Sequence, residues 1–159
     1  MRATLLLPLL LASVAAFAAN KVPPGVADTM FGASPALQDM PGVVSWNLLA
    51  QVDEVVKDRK LTPQFSDGVK ALHNKPVKLR GYMMPLEAGE RHNRFLLSAY
   101  PPSCPYCLPA GPSALVYVQA KTKIAASFEP VTVRGTMQVL DHDPEGLYYR
   151  MTEAVLAKE

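Results

Sequence analysis

The sequence lacks a dominant charge and, beyond its first residues, any long apolar run. Its 16 basic and 14 acidic residues give a formal net charge of +2, and no basic run appears. Such a balance does not have the charge pattern of a general nucleic-acid-binding or membrane-surface protein. No stretch after residue 18 is long and apolar enough to cross a membrane. We therefore expect no nucleic-acid partner and no membrane span in the mature chain.

The sequence also lacks the short motifs of common enzyme sites. No nucleophile elbow surrounds a serine, and there is no glycine-rich loop of the kind that cradles phosphate. Ser103, His142 and Asp143 have the residue types of a catalytic triad, but no nucleophile elbow surrounds Ser103. No histidine follows Cys107, which excludes covalent c-type haem attachment. A non-enzymatic protein is the favoured prediction.

The N-terminus has the parts of a secretory signal. Met1-Arg2 is a basic start, Leu5–Leu11 is an apolar core too short to span a bilayer, and Ala16-Phe-Ala18 supplies small residues for cleavage. We predict that residues 1–18 are a cleaved signal peptide. Neither cysteine lies near the cleavage point, so a lipid anchor has no attachment residue. The mature protein is expected to be soluble and, in a Gram-negative cell, periplasmic.

The rest of the chain divides into a leader and one domain. Residues 19–43 carry proline turns and no hydrophobic period, which predicts an extended or disordered leader. Residues 44–159 are enough for one domain with a modest core but not for two.

The predicted domain opens with an amphipathic helix. Ser45 is its N-cap, and Trp46 is interpreted as an anchor at the helix start rather than a ligand-stacking residue. The apolar stripe of this helix is Leu48, Leu49, Val52, Val55 and Val56. Thr62-Pro63 indicates a second, short helix that reaches about Leu72.

From Val77 the apolar period changes to two, which predicts strands. Five are expected: Pro76–Met84, Arg94–Tyr100, Ala114–Ala120, Val131–Leu140 and Gly146–Thr152. Leu79-Arg-Gly81 in the first recurs as Val133-Arg-Gly135 in the fourth, and each glycine sits mid-strand where a barrel bends sharply. The predicted fold is mainly β, a small five-stranded OB-like barrel with an N-terminal amphipathic helix. An unrelated β-sandwich is the alternative.

Both cysteines of the chain lie in one proline-rich loop, Ser103-Cys104-Pro-Tyr-Cys107-Leu-Pro109, between two predicted strands. Two cysteines at this spacing can be a redox couple, half of a metal site or a small disulfide staple. Cys-Pro-Tyr-Cys is also the active-site spelling of glutaredoxins. However, Pro109 and Pro112 would fall inside the helix that such a site requires, and too few residues follow Cys107 to complete that fold. Metal binding and a disulfide-stapled surface for a partner remain open, with redox chemistry a third alternative.

Strand parity indicates which side chains can join the cysteines. Cys104, Cys107, His73 and His142 are all carried to one end of the predicted barrel and form a candidate Cys₂His₂ set for zinc. His92, in the turn Glu87–Asn93, goes to the opposite end, roughly 15 Å away. Copper is the alternative metal, since Met83 and Met84 would suit copper(I), although paired methionines at a strand end are more often core filler.

Several segments together resemble a bacterial domain-of-unknown-function family, DUF3299. They are Val44–Leu48, Val77–Leu86 with its Gly-Tyr-Met-Met-Pro-Leu, Phe95–Tyr100, the cysteine loop to Pro112, Val116–Val118 and Val131–Gly135. The resemblance covers about residues 44–153. It implies an exported bacterial protein of a family often found beside envelope transport systems, some of them metal-responsive, but it implies no activity. Many members carry one cysteine before a proline run, whereas this chain has two.

Four tyrosines on or beside the predicted strands indicate an aromatic surface: Tyr82, Tyr117, Tyr148 and Tyr149. Base stacking would be one use for it, but a nearly neutral, exported chain meets little nucleic acid. Partner binding is the better interpretation. An envelope transporter or another periplasmic protein is the expected partner.

Overall fold

The computed structural model describes residues 37–57, 59–102 and 111–157 of the 159-residue chain. The predicted signal peptide, the leader up to residue 36 and both cysteines lie outside these ranges. The elements, in chain order, are α1 (Trp46–Leu49), β1 (Val52–Lys57), β2 (Lys60–Phe65), α2 (Asp67–Lys70), β3 (Lys75–Pro85), β4 (Arg91–Ser98), a 3₁₀ turn (Pro112–Ala114), β5 (Leu115–Ala125), β6 (Val131–Val139) and β7 (Tyr149–Leu156). Of the helices in these ranges, none has the length and apolar character needed to cross a membrane.

Strands β3 to β7 close into a barrel, and β1 and β2 form a separate hairpin. The order around the barrel is β3-β4-β5-β7-β6, with β5 and β7 parallel and all other neighbours antiparallel. This is the arrangement of a five-stranded OB-like barrel. The prediction of a mainly β protein with such a barrel and a small helix near the N-terminus is confirmed.

The period-two pattern of the sequence sets which side chains fill the barrel. Leu79, Gly81 and Met83 of β3 are buried, while their neighbours lie on the outer wall. Residues of the other four strands complete the interior, and the largest are Phe95, Leu97, Val116, Val118, Val133, Met137, Tyr149 and Met151. Met83 is only 4% exposed, which agrees with its interpretation as core filler.

The two mid-strand glycines are where neighbouring strands approach most closely. A Cβ on Gly81 would lie 2.5 Å from Leu97 Cγ and 2.8 Å from the Ser98 carbonyl oxygen. A Cβ on Gly135 would lie 2.7 Å from the Thr152 carbonyl oxygen. All three distances are below any normal contact, so only glycine lets these strands pack as they do.

The first predicted helix is much shorter in the structure. Ser45 is its N-cap, as predicted, and its hydroxyl accepts a hydrogen bond from Asn47 N at 3.0 Å, but the helix ends at Leu49. Val52, Val55 and Val56 lie in β1 instead, and the side chain of Val56 is 74% exposed. Leu-Leu followed by three valines matches a helical stripe by spacing alone. The prediction failed because pairing with β2 favours β-branched residues in a strand.

The second predicted helix is also mostly wrong. Pro63 does not open a helix but lies in β2, opposite Glu54 of β1. A two-stranded hairpin has only edge strands, where a proline without an N–H is tolerated. The helix that does form, α2, begins after Ser66, whose hydroxyl accepts from Val69 N at 3.3 Å.

The two short helices cover one end of the barrel. Trp46 is buried, and its indole N–H donates to the Arg80 carbonyl oxygen at 2.7 Å, so it anchors α1 to β3 as predicted. The Tyr149 hydroxyl donates to the Leu49 carbonyl oxygen at 2.6 Å, and its ring lies 5.9 Å from that of Phe65. Tyr149 is therefore core, which corrects its placement on an aromatic surface.

We expect Tyr149→Phe to lower the free energy of unfolding by about 1–3 kcal/mol at neutral pH, because the buried Leu49 carbonyl loses its donor. The alkaline side offers a second measurement. Burial, followed by the hydrogen bond and negative charge of Glu54, raises the pKa of Tyr148 from 10.0 to about 12, and burial also raises the pKa of Tyr149.

Because both phenols are harder to ionise in the folded state, the unfolded chain loses their protons first. The contribution of Tyr148 to stability is complete below pH 10 and is lost as the pH rises through about 12, and that of Tyr149 is lost at still higher pH. Urea unfolding at stepped pH should show a shallower loss in Tyr148→Phe and Tyr149→Phe than in the parent chain. Equal slopes in all three would contradict this assignment.

Candidate functional site

The candidate site is the barrel end from which the cysteine loop leaves, here called the cysteine-loop end. Four strand ends meet there. Strand β4 ends at Ser98, β5 begins at Leu115, β6 ends at Val139 and β7 begins at Tyr149. Ser98 pairs with Leu115, and Val139 pairs with Tyr149. The start of β3 also lies here, since Lys75 pairs with Met137.

The base of the cysteine loop is held by backbone hydrogen bonds. Ala99 N donates to the Ala114 carbonyl oxygen at 3.1 Å, and Ala114 N donates to that of Gly111 at 3.0 Å. The buried Ser98 hydroxyl accepts from Tyr100 N and donates to the Tyr100 carbonyl oxygen, which sets the direction in which the loop leaves β4. Cys104 and Cys107 lie outside the residues that the structure describes, but the two points that carry them are fixed on the barrel.

His73 lies at the cysteine-loop end but uses one ring nitrogen for structure. Its Nδ1 accepts a hydrogen bond from Val139 N at 3.1 Å, and the next residue, Asn74, donates from its backbone N to Met137 O at 2.7 Å. These two hydrogen bonds continue the contact with β6 to the residues just before β3. A neutral imidazole that accepts at Nδ1 carries its proton on Nε2, where no lone pair is left for a metal. His73 can ligate only if it gives up the bond from Val139.

His142 lies in the turn between β6 and β7, three residues beyond Val139. Its side chain is exposed, and it makes no hydrogen bond to another described residue. The turn itself is built by Asp143, whose Oδ1 accepts from Glu145 N at 3.0 Å and Leu147 N at 3.4 Å. The structure therefore keeps His142 accessible on an ordered turn at the end where the cysteine loop begins.

Asp143 holds this turn and makes no hydrogen bond to His142 among the described residues. Its other oxygen, Oδ2, accepts from the Arg150 guanidinium at 3.1 Å, and the Asp143 side chain is only 5% exposed. Arg150 in turn lies over the Tyr117 ring at 5.7 Å. Among the described residues both carboxylate oxygens accept other hydrogen bonds and His142 makes none to Asp143, so Asp143 does not orient His142 as a triad would require. The sequence Asp143-Pro-Glu-Gly146 is typical of a turn and agrees with the predicted break between strands at residues 141–145.

His92 lies at the opposite end of the barrel, but it is not in a turn. It belongs to β4, pairs with Ile124, and is 5% exposed, with Nε2 at 3.0 Å from the Gly89 carbonyl oxygen. The sequence placed it in a turn because polar neighbours surround it. The strand begins three residues earlier than predicted, because β5 extends to Ala125 and pairs with Arg91.

Across residues 37–57, 59–102 and 111–157, no three His, Cys, Asp or Glu side chains form a group that could hold a metal. His73 and His142 are thus brought to the same barrel end without forming a site by themselves. A metal site at this end would need ligands from beyond the described residues.

The fold and this end define a small OB-like barrel protein with one long, anchored loop. The chain belongs to the family described as "Protein of unknown function (DUF3299)", whose model matches residues 39–156. A DUF3299 family protein from Pseudomonas aeruginosa PAO1, known from its crystal structure, is 25% identical in sequence to this chain. The similarity covers 80% of this chain and 89% of that one, with a TM-score of 0.48. No curated protein matches the sequence.

Proposed function

We propose that the protein is an exported, periplasmic accessory protein that binds a transition metal through Cys104 and Cys107, beside an envelope transport system. The observation that carries the proposal is the anchored base of the cysteine loop. Ala99 and Ala114 hold both ends of the loop at the barrel end where His142 is exposed. The transport partner is implied by the family resemblance alone.

The ligands that this end can offer favour zinc, with copper as the alternative. Two thiolates and an imidazole are three of the four ligands of a tetrahedral zinc site. His142 supplies the imidazole without disturbing the fold, whereas His73 would have to break its bond to Val139 N. The fourth position is therefore open to water or to a group of the partner. Such an open position suits a protein that takes up and hands on a metal.

A thioredoxin-type redox enzyme is the less favoured alternative, because Pro109 and Pro112 would fall inside the helix that such a site requires. In such enzymes a helix that begins at the first cysteine lowers its thiol pKa. The residues described directly after the loop are the 3₁₀ turn Pro112–Ala114 and then strand β5. A disulfide-stapled surface that binds a partner without metal is the stronger alternative, because an oxidising compartment favours joining the two cysteines.

Native mass spectrometry of protein isolated from the periplasm, without chelator or added metal, separates these functions. Bound zinc or copper adds the mass of that metal, whereas a disulfide removes two hydrogens. We expect the metal adduct in the parent chain, its loss in Cys104→Ser and Cys107→Ser, and a lower occupancy in His142→Ala. A parent chain that lacks two hydrogens and carries no metal would overturn the proposal in favour of the disulfide-stapled surface.

A further inference from the structure

A pair of cations faces each other directly on the outer wall of the barrel, away from the cysteine loop. Lys78 of β3 and Arg134 of β6 are register partners, and both side chains are exposed. The Lys78 carbonyl oxygen accepts from Val44 N at 2.8 Å, so it points away from β6. The two residues therefore form a non-hydrogen-bonded pair, in which the Cα atoms of an antiparallel ladder are only about 4.5 Å apart.

Like charges in this position repel and destabilise a sheet. In the part of the chain that the structure describes, neither Lys78 nor Arg134 makes an ion pair with an acidic side chain. A third cation, Arg80, lies two residues along β3 on the same face. Among the described residues, its buried Nε has no hydrogen-bond partner, and its Nη1 has only the Met40 sulfur as an acceptor, at 3.4 Å. Three positive groups are thus concentrated here, with a thioether as their one side-chain acceptor among the described residues.

Concave surface lies on both sides of the Lys78–Arg134 pair. One cavity, of about 290 Å³, is lined by the two cations with Leu156 and Ala157. The other, of about 420 Å³, is lined by the same cations and by Gly42, Val43, Val44, Pro76 and Val77. No acidic side chain of the described residues lines either cavity. Each cavity therefore combines positive charge with an apolar wall.

We propose that Lys78 and Arg134 bind the phosphate group of an organic phosphate ester, whose organic part lies against one of these apolar walls. A guanidinium matches two phosphate oxygens in a bidentate way, and an adjacent ammonium adds a point charge. The bound anion would relieve the repulsion between the two cations. The apolar wall includes Leu156, whose side chain is 55% exposed. Contact with this wall would make an ester bind more tightly than free phosphate.

The test is a titration of the mature protein with glycerol phosphate and with inorganic phosphate, at constant ionic strength, followed by amide NMR. We expect saturable shifts at Lys78, Arg134 and Ala157, with the ester binding more tightly than inorganic phosphate. Lys78→Gln/Arg134→Gln should weaken binding by at least about tenfold, since two charge-assisted contacts are lost. Without ligand, this variant should melt at the same temperature as the parent or higher, because the repulsion is gone.

The matched control removes two positive charges from another strand. Lys121→Gln/Lys123→Gln on β5 changes the net charge equally but touches neither cavity. It should bind the ester as the parent does. An equal loss of binding in both double variants would mean general charge attraction and would overturn the proposal. So would shifts that spread over all basic residues without saturation.

A second arm separates the two sources of an organic phosphate. Vesicles of phosphatidylglycerol and of phosphatidylcholine are sedimented with the parent chain and with both double variants. Binding to the anionic vesicles that is lost in Lys78→Gln/Arg134→Gln identifies a lipid headgroup. Saturable binding of glycerol phosphate without vesicle binding identifies a soluble ester. The absence of binding in both arms would refute the site.

Discussion

Gly81→Val is expected to lower the free energy of unfolding by about 3 kcal/mol, the upper end of the usual range for overpacking. Even the first added carbon would lie 2.8 Å from the Ser98 carbonyl oxygen, which is backbone and cannot turn away as a side chain can. Strands β3 and β4 would have to separate where Tyr82 pairs with Ser98. Gly135→Val should cost a similar amount, because its added carbon would meet the Thr152 carbonyl oxygen and the Ala154 Cα.

The control for both substitutions is Gly111→Val. Gly111 has an ordinary extended backbone with φ of −71°, and an added Cβ would meet no atom of the described residues within 4 Å. Its melting temperature should stay within a degree or two of the parent, as for most exposed substitutions. Urea unfolding of the three variants measures the contrast. If Gly81→Val and Gly111→Val unfold at the same urea concentration, the close approach of β3 and β4 is not what holds the barrel.

Removal of metal is expected to have the other large effect. A metal that binds only the folded chain stabilises it by about 4 kcal/mol when the free metal exceeds the dissociation constant a thousandfold. A chelator should therefore lower the melting temperature of the metal-loaded protein at neutral pH. Acid should act in the same direction, because the thiols and the imidazole must lose their protons to bind the metal.

Variants distinguish the ligands in this experiment. Cys104→Ser should abolish the difference between chelated and loaded protein, and His142→Ala should reduce it. His92→Ala should leave the difference intact, although loss of its buried ring lowers both melting temperatures. His73→Ala tests whether His73 stays outside the ligand set because its Nδ1 accepts the hydrogen bond from Val139 N. A full chelator effect in this variant keeps His73 out of the ligand set, and an abolished effect returns it to the set.

If chelator changes nothing and thiol titration of freshly isolated protein finds no free cysteine, the metal proposal is wrong. The loop would then be a disulfide-bridged surface. That result would leave the phosphate proposal untouched, since Lys78 and Arg134 lie on β3 and β6 and do not depend on the state of the cysteines.

The barrel was predictable because its signals are local. Alternation of apolar and polar residues places a strand and decides which face is buried, and a glycine in mid-strand marks a close approach wherever the partner comes from. The sequence by itself therefore determined β3 to β7, the interior face of β3 and the roles of Gly81 and Gly135. It also carried the N-cap at Ser45, since capping involves only the next few residues.

Other features depend on pairs that are remote in the chain, and only the tertiary structure decided them. Val52–Val56 is spaced as a helical stripe, and its pairing with β2 makes it a strand. His73 has a side chain that can bind metal, but its Nδ1 accepts a hydrogen bond from the backbone N of Val139, 66 residues later. Lys78 and Arg134 belong to two copies of an ordinary strand pattern, and register alone sets them face to face. The sequence determines the chemistry of each side chain, whereas the fold determines which group contacts its lone pair or its charge.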